Sequence, residues 1–599
     1  MHLSRVKLKN YRNFVDSEFN FNKKSLIIGA NDVGKTNLLD SIRLLLDKSL
    51  SENDLEPTLE DFCALNDCTT FEILLQFSDI TEDCVKAKFP GYISDQNELF
   101  IKYTGFKEGK RYELAAGRSE DELEEIKGRF YLKVLNLRYV PANRQIDNFL
   151  KNQKNKLLEK LKSNRTDQQV SEDESQLSNL LSLLTDVQVL LDKLSFVEKG
   201  GALLNKELDN LAEHHTSQEI KLGIDIPKSN DLFRKVQLLS YVNDHAIQLG
   251  GDGRKNQAFL ALWAALNEIE NSDGEPEEVS IFCIEEPEAH LHPHQQRRLS
   301  EYLINNLKTQ VILTSHSPFI ASEFQSESIV RLFTSKEDKS TKAAKKGASE
   351  QIKEKIDGLE FRLNVLSSEV YFSDCVFLVE GSSEVIFYKS LAIALGIELD
   401  RLNISILSVE GVGFHKYIEL FDNLGIPWVI RTDNDYQLVS AKIQGNYYRL
   451  SGLQRAISVL KLKQSLQPAL VEPAYFKFII ENEEDLTHLT DKNEQYRKDM
   501  YEKYYEDLKQ NGIYIAKLGL EEDLFNTTES VRNSLRQYYK YSVDEYTDEE
   551  VIKKMKDKKS TNMFHFVKLY FDCLPDINGF ELAQPLIHCK NITEELRRV

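Results

Sequence analysis

The chain has 599 residues, with 76 basic and 96 acidic side chains and a formal net charge of −20. At roughly 150 residues per domain, that length implies three or four domains. The acidity excludes a plain electrostatic nucleic-acid binder, whose footprint is basic, and leaves local Lys/Arg patches or metal ions as the means of holding a polyanion.

Seven cysteines with no CxxC pair argue for reduced thiols rather than a disulfide frame. The opening MHLSRVKLKNYRNF is polar and alternating, unlike a signal peptide. No apolar run of about eighteen residues suggests a spanning helix, and a cytoplasmic protein is expected.

The first segments, LSRVKLKNYRNF, SEFNFN and SLIIGA, alternate like strands. NLLDSIRLLLDKSL has helical spacing, and FEILLQFSDI, LFIKYTGF and YLKVLNLRYVPANR read as further strands. From 146 to 235 the pattern turns helical, with polar breaks such as SNRTDQQVSEDES, and predicts a coiled-coil-like hairpin. Strands return at VSIFCIEE and TQVILTSHS. The charged stretch 335–351 reads as a linker, and IDGLEFRLNVL as a short helix. Strands and helices then alternate up to a Tyr- and Lys-rich helical end, and no internal repeat is visible.

GANDVGKT, Gly29 to Thr36, fits GxxxxGK[ST] between a strand and a helix. Gly29, Asn31 and Gly34 belong to a loop whose backbone N–H groups face phosphate oxygens at a helix N-terminus. Lys35 then reaches the β/γ-phosphates of ATP, and Thr36 holds Mg²⁺. VSIFCIEEPEAHLHP ends a hydrophobic strand on Glu285 and Glu286, suited to water-mediated Mg²⁺ binding and to polarising water. TSHSP places His316 to sense the γ-phosphate, and Gly250, Gly251 and Gly253 open a helix suited to capping phosphates on a facing subunit. The alternating His290, His292 and His294 invite a zinc reading, but no Cys or carboxylate spacing supports it. Together these motifs resemble an ABC-type ATPase of the recombination and structural-maintenance group. The sequence departs from that pattern at GGDGRKNQ and at Glu285, where an Asp is usual.

FLVEGSSEVIF carries Glu380 at a strand end and Glu384 one helical turn on, with Gly381 allowing the tight turn. WVIRTDND ends on Asp433 and Asp435, which share one side of an extended segment. Four carboxylates converging without basic neighbours repel, and divalent cations relieve that repulsion. Oxygen-only ligation favours Mg²⁺ or Mn²⁺, and two such ions suit phosphodiester hydrolysis.

This second pattern resembles a Toprim domain. With the ATPase motifs it is similar to the OLD family of ATP-dependent nucleases, including the nuclease subunits of the Gabija anti-phage system. The resemblance implies an α/β chain with an ABC-type ATPase head in two parts, residues 1–145 and 236–340. A helical insertion at 146–235, expected to dimerise, separates them, and a C-terminal Toprim α/β domain with a helical end fills 341–599. Glu380, Glu384, Asp433, Asp435 and, from GLEEDL, Glu521 are then metal ligands, with Gly519 where the family often has Asp. Lys559 takes the place of a family lysine that steadies transition-state charge, although its basic surroundings also suit a solvated helix face. The implied activity is metal-dependent DNA cutting regulated by ATP, by a homo-oligomer with a separately encoded UvrD-like helicase partner. A clamp-like ATPase with a non-cleaving Toprim domain is the alternative, and a primase or topoisomerase is a third reading.

Overall fold

The computed structural model describes residues 1–142, 146–211, 222, most of 236–266, 278–347, 367–410, 413–440, 447–489 and 505–597. It divides into two compact units. One comprises Met1–Ala142, Glu277–Glu288 and His292–Val599; the other comprises Asn143–Pro276 and Ala289–Leu291.

The first unit begins with an antiparallel sheet. Its strands are β1 (His2–Tyr11), β2 (Phe14–Asn20), β4 (Thr70–Ser78), β5 (Leu99–Phe106), β6 (Tyr112–Gly117) and β7 (Leu123–Glu125), in the order β2-β1-β4-β5-β6-β7. A register shift between Leu3 and Arg5 lets Leu3, Val6 and Leu8 all face the core. A second sheet holds β3 (Lys24–Ile28), β8 (Leu135–Val140), β11 (Val279–Glu285), β12 (Val311–Thr314), β13 (Ile329–Thr334) and β14 (Thr341–Ala343), in the order β14-β13-β3-β12-β11-β8. All its pairings but β13–β14 are parallel. That explains why LII, IFCI and VIL are continuous apolar runs: a parallel strand covered on both faces has no polar side to show. Helix α1 (Lys35–Leu46) joins this core through Leu38, Leu39, Ile42, Leu45 and Leu46, all fully buried. Each such side chain contributes about 1.5–3 kcal/mol.

The stretch expected as a linker proves partly structural. Thr341 opens β14, donating its N–H to Asn13 O at 2.9 Å and its hydroxyl to Val33 O at 2.6 Å. Gly347 bridges to Asn20. The charged side chains of this stretch concealed an edge strand with short polar residues at the contacts. IDGLEFRLNVL lies outside the described residues.

The last part of this unit is a parallel sheet in the order β16-β15-β17-β21. Its strands are β15 (Cys375–Val379), β16 (Ile404–Ser408), β17 (Trp428–Thr432) and β21 (Ile513–Ile515). Helices α5 (Ser382–Ala394) and α6 (Phe414–Asn423) follow β15 and β16. A small antiparallel sheet, Tyr436–Ser440 with Tyr447–Leu450 and His488–Leu489, follows β17. Helices Glu529–Tyr539, Asp548–Lys556 and Lys559–Leu569 bury Val531, Leu535, Val551, Met555, Met563 and Phe566 in the core of this sheet.

The second unit carries helices Ile146–Ser163, Asp167–Asp192 and Ser195–Leu211. The break expected over SNRTDQQVSEDES is confined to Asn164–Thr166. Thr166 caps the next helix through Gln169 in a capping box, and so DQQVSEDES is helical. No residue of Asp167–Asp192 is buried. Leu180, Leu183, Val187 and Leu190 are exposed, and with Leu194 just beyond they keep an alternating 3–4 spacing.

Candidate functional site

The phosphate-binding loop connects β3 to α1. Gly34 adopts φ 103°, and a Cβ there would lie 2.2 Å from Asn13 Nδ2, so the turn requires glycine. Asn13 Nδ2 donates to Val33 O at 2.9 Å, which gives NYRNF a role as the brace of the loop. Lys35 is buried and donates Nζ to Gly29 O at 3.1 Å and Ala30 O at 2.8 Å. Asn31 and Thr36 are exposed at the loop and the first helical turn.

The ends of β11 and β12 bring the acidic groups to this loop. Glu285 is buried and accepts from Tyr139 Oη at 2.8 Å. Glu286 stands 3.7 Å from His316 Nε2 and adopts φ 42°. Glu288, which the motif reading passed over, accepts from Ser315 Oγ at 2.7 Å and His316 N at 2.8 Å, and so fixes the loop that carries His316. Burial lowers the Lys35 ammonium from its ordinary value, while Glu286, Asp32, Glu285 and Glu288 pull it back up. Burial and the Lys35 charge depress His316, with Glu286 opposing. Lys35, Glu285, Glu286, Glu288, Asp32 and His316 therefore form one electrostatic cluster around the loop of Gly29 and Gly34. Gly250, Gly251 and Gly253 belong to the second unit, where a Cβ on Gly253 would meet His290 O at 2.6 Å. His292 is the N-cap residue of the helix Pro293–Asn305 and His294 Nδ1 bonds Arg297 Nη2 at 2.8 Å, so these two histidines serve local structure.

The second cluster sits at the C-terminal ends of β15 and β17, where ligand sites of open α/β sheets form. Glu380 Oε1 accepts from Thr432 Oγ1, from Asp433 N at 2.9 Å and from Arg455 Nη2 at 2.8 Å. Glu384 Oε2 accepts from Glu380 N at 2.8 Å and Gly381 N at 3.0 Å, and Oε1 accepts from Arg431 Nη1 at 3.0 Å. The EGxxE spacing is thus the capping arrangement of α5, with Glu384 holding the turn that aims Glu380. Glu384, expected as a metal ligand, lies beside Glu380 and makes these three contacts.

The expectation of carboxylates without basic neighbours is corrected. Arg431, 2% exposed, meets Glu384, Asp433 at 3.4 Å and Asp523 at 2.8 Å. Arg455 meets Glu380 and stands 3.7 Å from the exposed Asp435. Arg431 was legible: it precedes Asp433 by two residues and shares its side of the strand. Arg455 and Asp523 come from distant segments, which no local spacing announces.

Glu521 completes the cluster from the helix Leu520–Phe525. It is 1% exposed, and neither carboxylate oxygen has a hydrogen-bond partner. It pairs with Lys559 Nζ, 3.8 Å away. Burial pushes the carboxyls of Glu380, Glu384, Glu521 and Asp523 upward, with the neighbouring cations opposing. Asp433, Asp435, Glu521 and Glu384 in turn raise Lys559 above its ordinary value, against burial. A Cβ on Gly519 would lie 3.0 Å from Glu522 Oε2 and 3.5 Å from Asp433 Oδ2, so residue 519 borders the site directly.

Among the described residues no three His, Cys, Asp or Glu side chains are grouped as a ready cation cage. The donor chemistry nevertheless suits a hard divalent cation, because all candidates offer oxygen and the buried Glu521 carboxylate has no hydrogen bond. Also among the described residues, no helix is long and apolar enough to cross a membrane.

The chain is similar to "Endonuclease GajA" of Bacillus cereus, 24% identical over 97% of this chain and 99% of that protein. It is similar to "Old nuclease" of Escherichia phage P2, 24% identical over 87% of this chain and 92% of that one. It also matches "OLD nuclease" of Thermus scotoductus, 22% identical over 72% and 82% of the two chains. Residues 371–435, from just before β15 to Asp435, match the family described as Overcoming lysogenization defect protein-like, TOPRIM domain. Residues 1–321 match the family described as AAA ATPase domain, and since that span is more than half of the 599 residues, the chain belongs to this ATPase family.

Proposed function

We propose that the protein is a divalent-metal-dependent DNA endonuclease, governed by nucleotide at its ATPase site and acting in anti-phage defence. The observation that carries this reading is the juxtaposition of Glu380, Asp433 and Glu521, whose carboxylate lacks a hydrogen bond and pairs with Lys559, at the end of the TOPRIM sheet. Glu380, Asp433, Asp435 and Glu521 are the residues that would hold Mg²⁺ or Mn²⁺, with Glu384 aiming Glu380. A bound divalent cation would polarise a phosphodiester oxygen and lower the pKa of attacking water. Lys559 supplies positive charge to the phosphate as negative charge develops there. Arg455, half-buried beside Glu380, orients that carboxylate and offers a second cation to the DNA backbone.

At the ATPase site Lys35 and the loop N–H groups bind the phosphates of ATP, Thr36 and Glu285 hold Mg²⁺, and His316 senses the γ-phosphate. Gly251 and Gly253 complete a neighbouring subunit's site. The exposed Leu180, Leu183, Val187, Leu190 and Leu194 stripe supports a homo-oligomer built through the helical insertion of 146–235. A cytoplasmic setting fits the scattered cysteines, and a separately encoded UvrD-like helicase partner follows from the family resemblance.

The experiment compares wild type, Glu380→Ala and Lys35→Ala on supercoiled plasmid and phage DNA, with Mg²⁺ or Mn²⁺, with and without ATP. Nicked or linear product from wild type and none from Glu380→Ala is expected, with Lys35→Ala losing the response to ATP. If Glu380→Ala cuts as well as wild type, the site assignment fails. A second reading, a DNA-clamp ATPase with a non-cleaving TOPRIM domain, is favoured by Arg431 and Arg455 already neutralising the acidic cluster. That reading requires DNA binding with no cut product at any metal concentration.

A further inference from the structure

Two side-chain links run from the phosphate-binding loop to a single turn of the TOPRIM domain. The first starts at Gly29, which packs against β13 so tightly that a Cβ would lie 2.8 Å from Leu332 O. The preceding residue, Arg331, is buried. Its guanidinium donates to Leu424 O and Gly425 O, each at 3.2 Å, and to Ser373 O at 3.0 Å. The second starts at Val33, whose carbonyl accepts from Thr341 Oγ1 at 2.6 Å. Four residues on, Lys345 Nζ pairs with Asp422 at 2.8 Å, and the Asp422 side chain is 3% exposed.

Both links end on the C-terminus of α6. That end is a Schellman turn: Ile426 N donates to Phe421 O at 2.8 Å, Gly425 N to Asp422 O at 3.2 Å, and Gly425 takes φ 62°. Two cations at a helix C-terminus suit its partial negative charge. Ser373 stands two residues before β15, which delivers Glu380. Gly425 stands three residues before β17, which delivers Asp433. Arg331 therefore holds the roots of both strands that carry the acidic site, from the strand adjacent to the phosphate-binding loop.

We propose that Arg331 and Lys345 are positioning residues that couple occupancy of the phosphate-binding loop to the placement of Glu380 and Asp433. The inference rests on the proposed nucleotide-regulated nuclease and names its route of regulation. Nucleotide pulls Lys35 away from Gly29 O and Ala30 O and reorders the loop. Close packing against Leu332 and the Val33–Thr341 bond pass that shift to Arg331 and Lys345. Charge-assisted hydrogen bonds weaken steeply when misaligned, so a small movement of the guanidinium changes how the two strand roots are held.

The test uses the full chain, with ATPγS as probe, and the variants Lys345→Gln and Arg331→Met. Lys345 is half-exposed, so its variant stays folded even where loss of the buried Arg331 destabilises the domain. Hydrogen exchange is read at the amides of 374–380 and 426–433 with and without nucleotide, alongside nucleotide affinity and plasmid cutting with and without ATP. In wild type, ATPγS is expected to change exchange in both segments. In the variants that change shrinks while ATPγS still binds, and a nucleotide effect on cutting of about fivefold or more moves toward none. Wild-type nucleotide sensitivity in Lys345→Gln and in folded Arg331→Met overturns the proposal. So does a wild type whose exchange in these segments ignores ATPγS. Loss of the exchange response in the variants, with a wild type that cuts no DNA, upholds the coupling and rejects the nuclease reading instead.

Discussion

Replacing Arg431 with Met keeps most of the side-chain volume and removes one buried charge. In the native arrangement that guanidinium, with a side chain 3% exposed, stands 3.0 Å from Glu384, 3.4 Å from Asp433 and 2.8 Å from Asp523. Truncating one partner of such a buried network costs about 3–5 kcal/mol, because the remaining charges lose their compensation. For a domain of this size each kcal/mol moves the midpoint by about 2–4 °C, so a fall of about 6–20 °C is expected. The assay is thermal and urea unfolding with chelator present. The deficit depends on pH with a definite sign. Burial already pushes Glu384 and Asp523 upward, and Arg431 opposes it. Without Arg431 their folded-state values rise further above the unfolded ones, so the folded variant binds more protons and loses stability as pH rises. The deficit is therefore larger at about pH 8 than at about pH 5. A loss below about 1 kcal/mol, or an equal loss at both pH values, refutes the view that Arg431 balances the acidic cluster.

Gly519→Asp adds a carboxylate beside Asp433 and Glu522. It should lower stability with chelator by about 1–3 kcal/mol and enlarge the midpoint rise on adding Mn²⁺, both read by differential scanning fluorimetry. Leu183→Glu with Leu190→Glu charges the exposed stripe of the long helix. Light scattering should show a smaller assembly with unchanged unfolding midpoint, and an unchanged mass would discount that stripe as an interface. His588, bonded through Nδ1 to Tyr514 Oη at 3.0 Å, is held below its ordinary pKa by burial and by Lys463. The unfolded chain therefore takes up this proton first, so stability falls as pH drops below about 6.5. His588→Gln should flatten that part of the urea-stability profile, and an unaltered slope would assign the acid sensitivity elsewhere.

Local chemistry was legible and partnership was not. GANDVGKT, IFCIEEPE and TSHSP sit on strand ends as their flanking apolar runs imply, and residues 146–211 are helical as their spacing implies. The EGSSE spacing is also that of a helix cap, with Glu384 closing on the backbone of Glu380 and Gly381. Within the charged stretch 335–351, Thr341–Ala343 form a strand, because an edge strand on a buried sheet needs few apolar residues. Glu288 escaped notice because its role is to bond another strand's loop.

The order of residues determined the motifs, because a phosphate loop needs only a contiguous strand, turn and helix. It also determined which carboxylates stand at strand ends, because the alternation of an extended chain fixes the side on which each residue lies. Only the folded chain decided what meets those carboxylates. Arg455 reaches Glu380 across 75 residues, Arg431 reaches Asp523 across 92, and Glu521 is buried facing Lys559. Charge balance in a buried site is a sum over groups brought together from distant segments, and no spacing along one segment carries that sum.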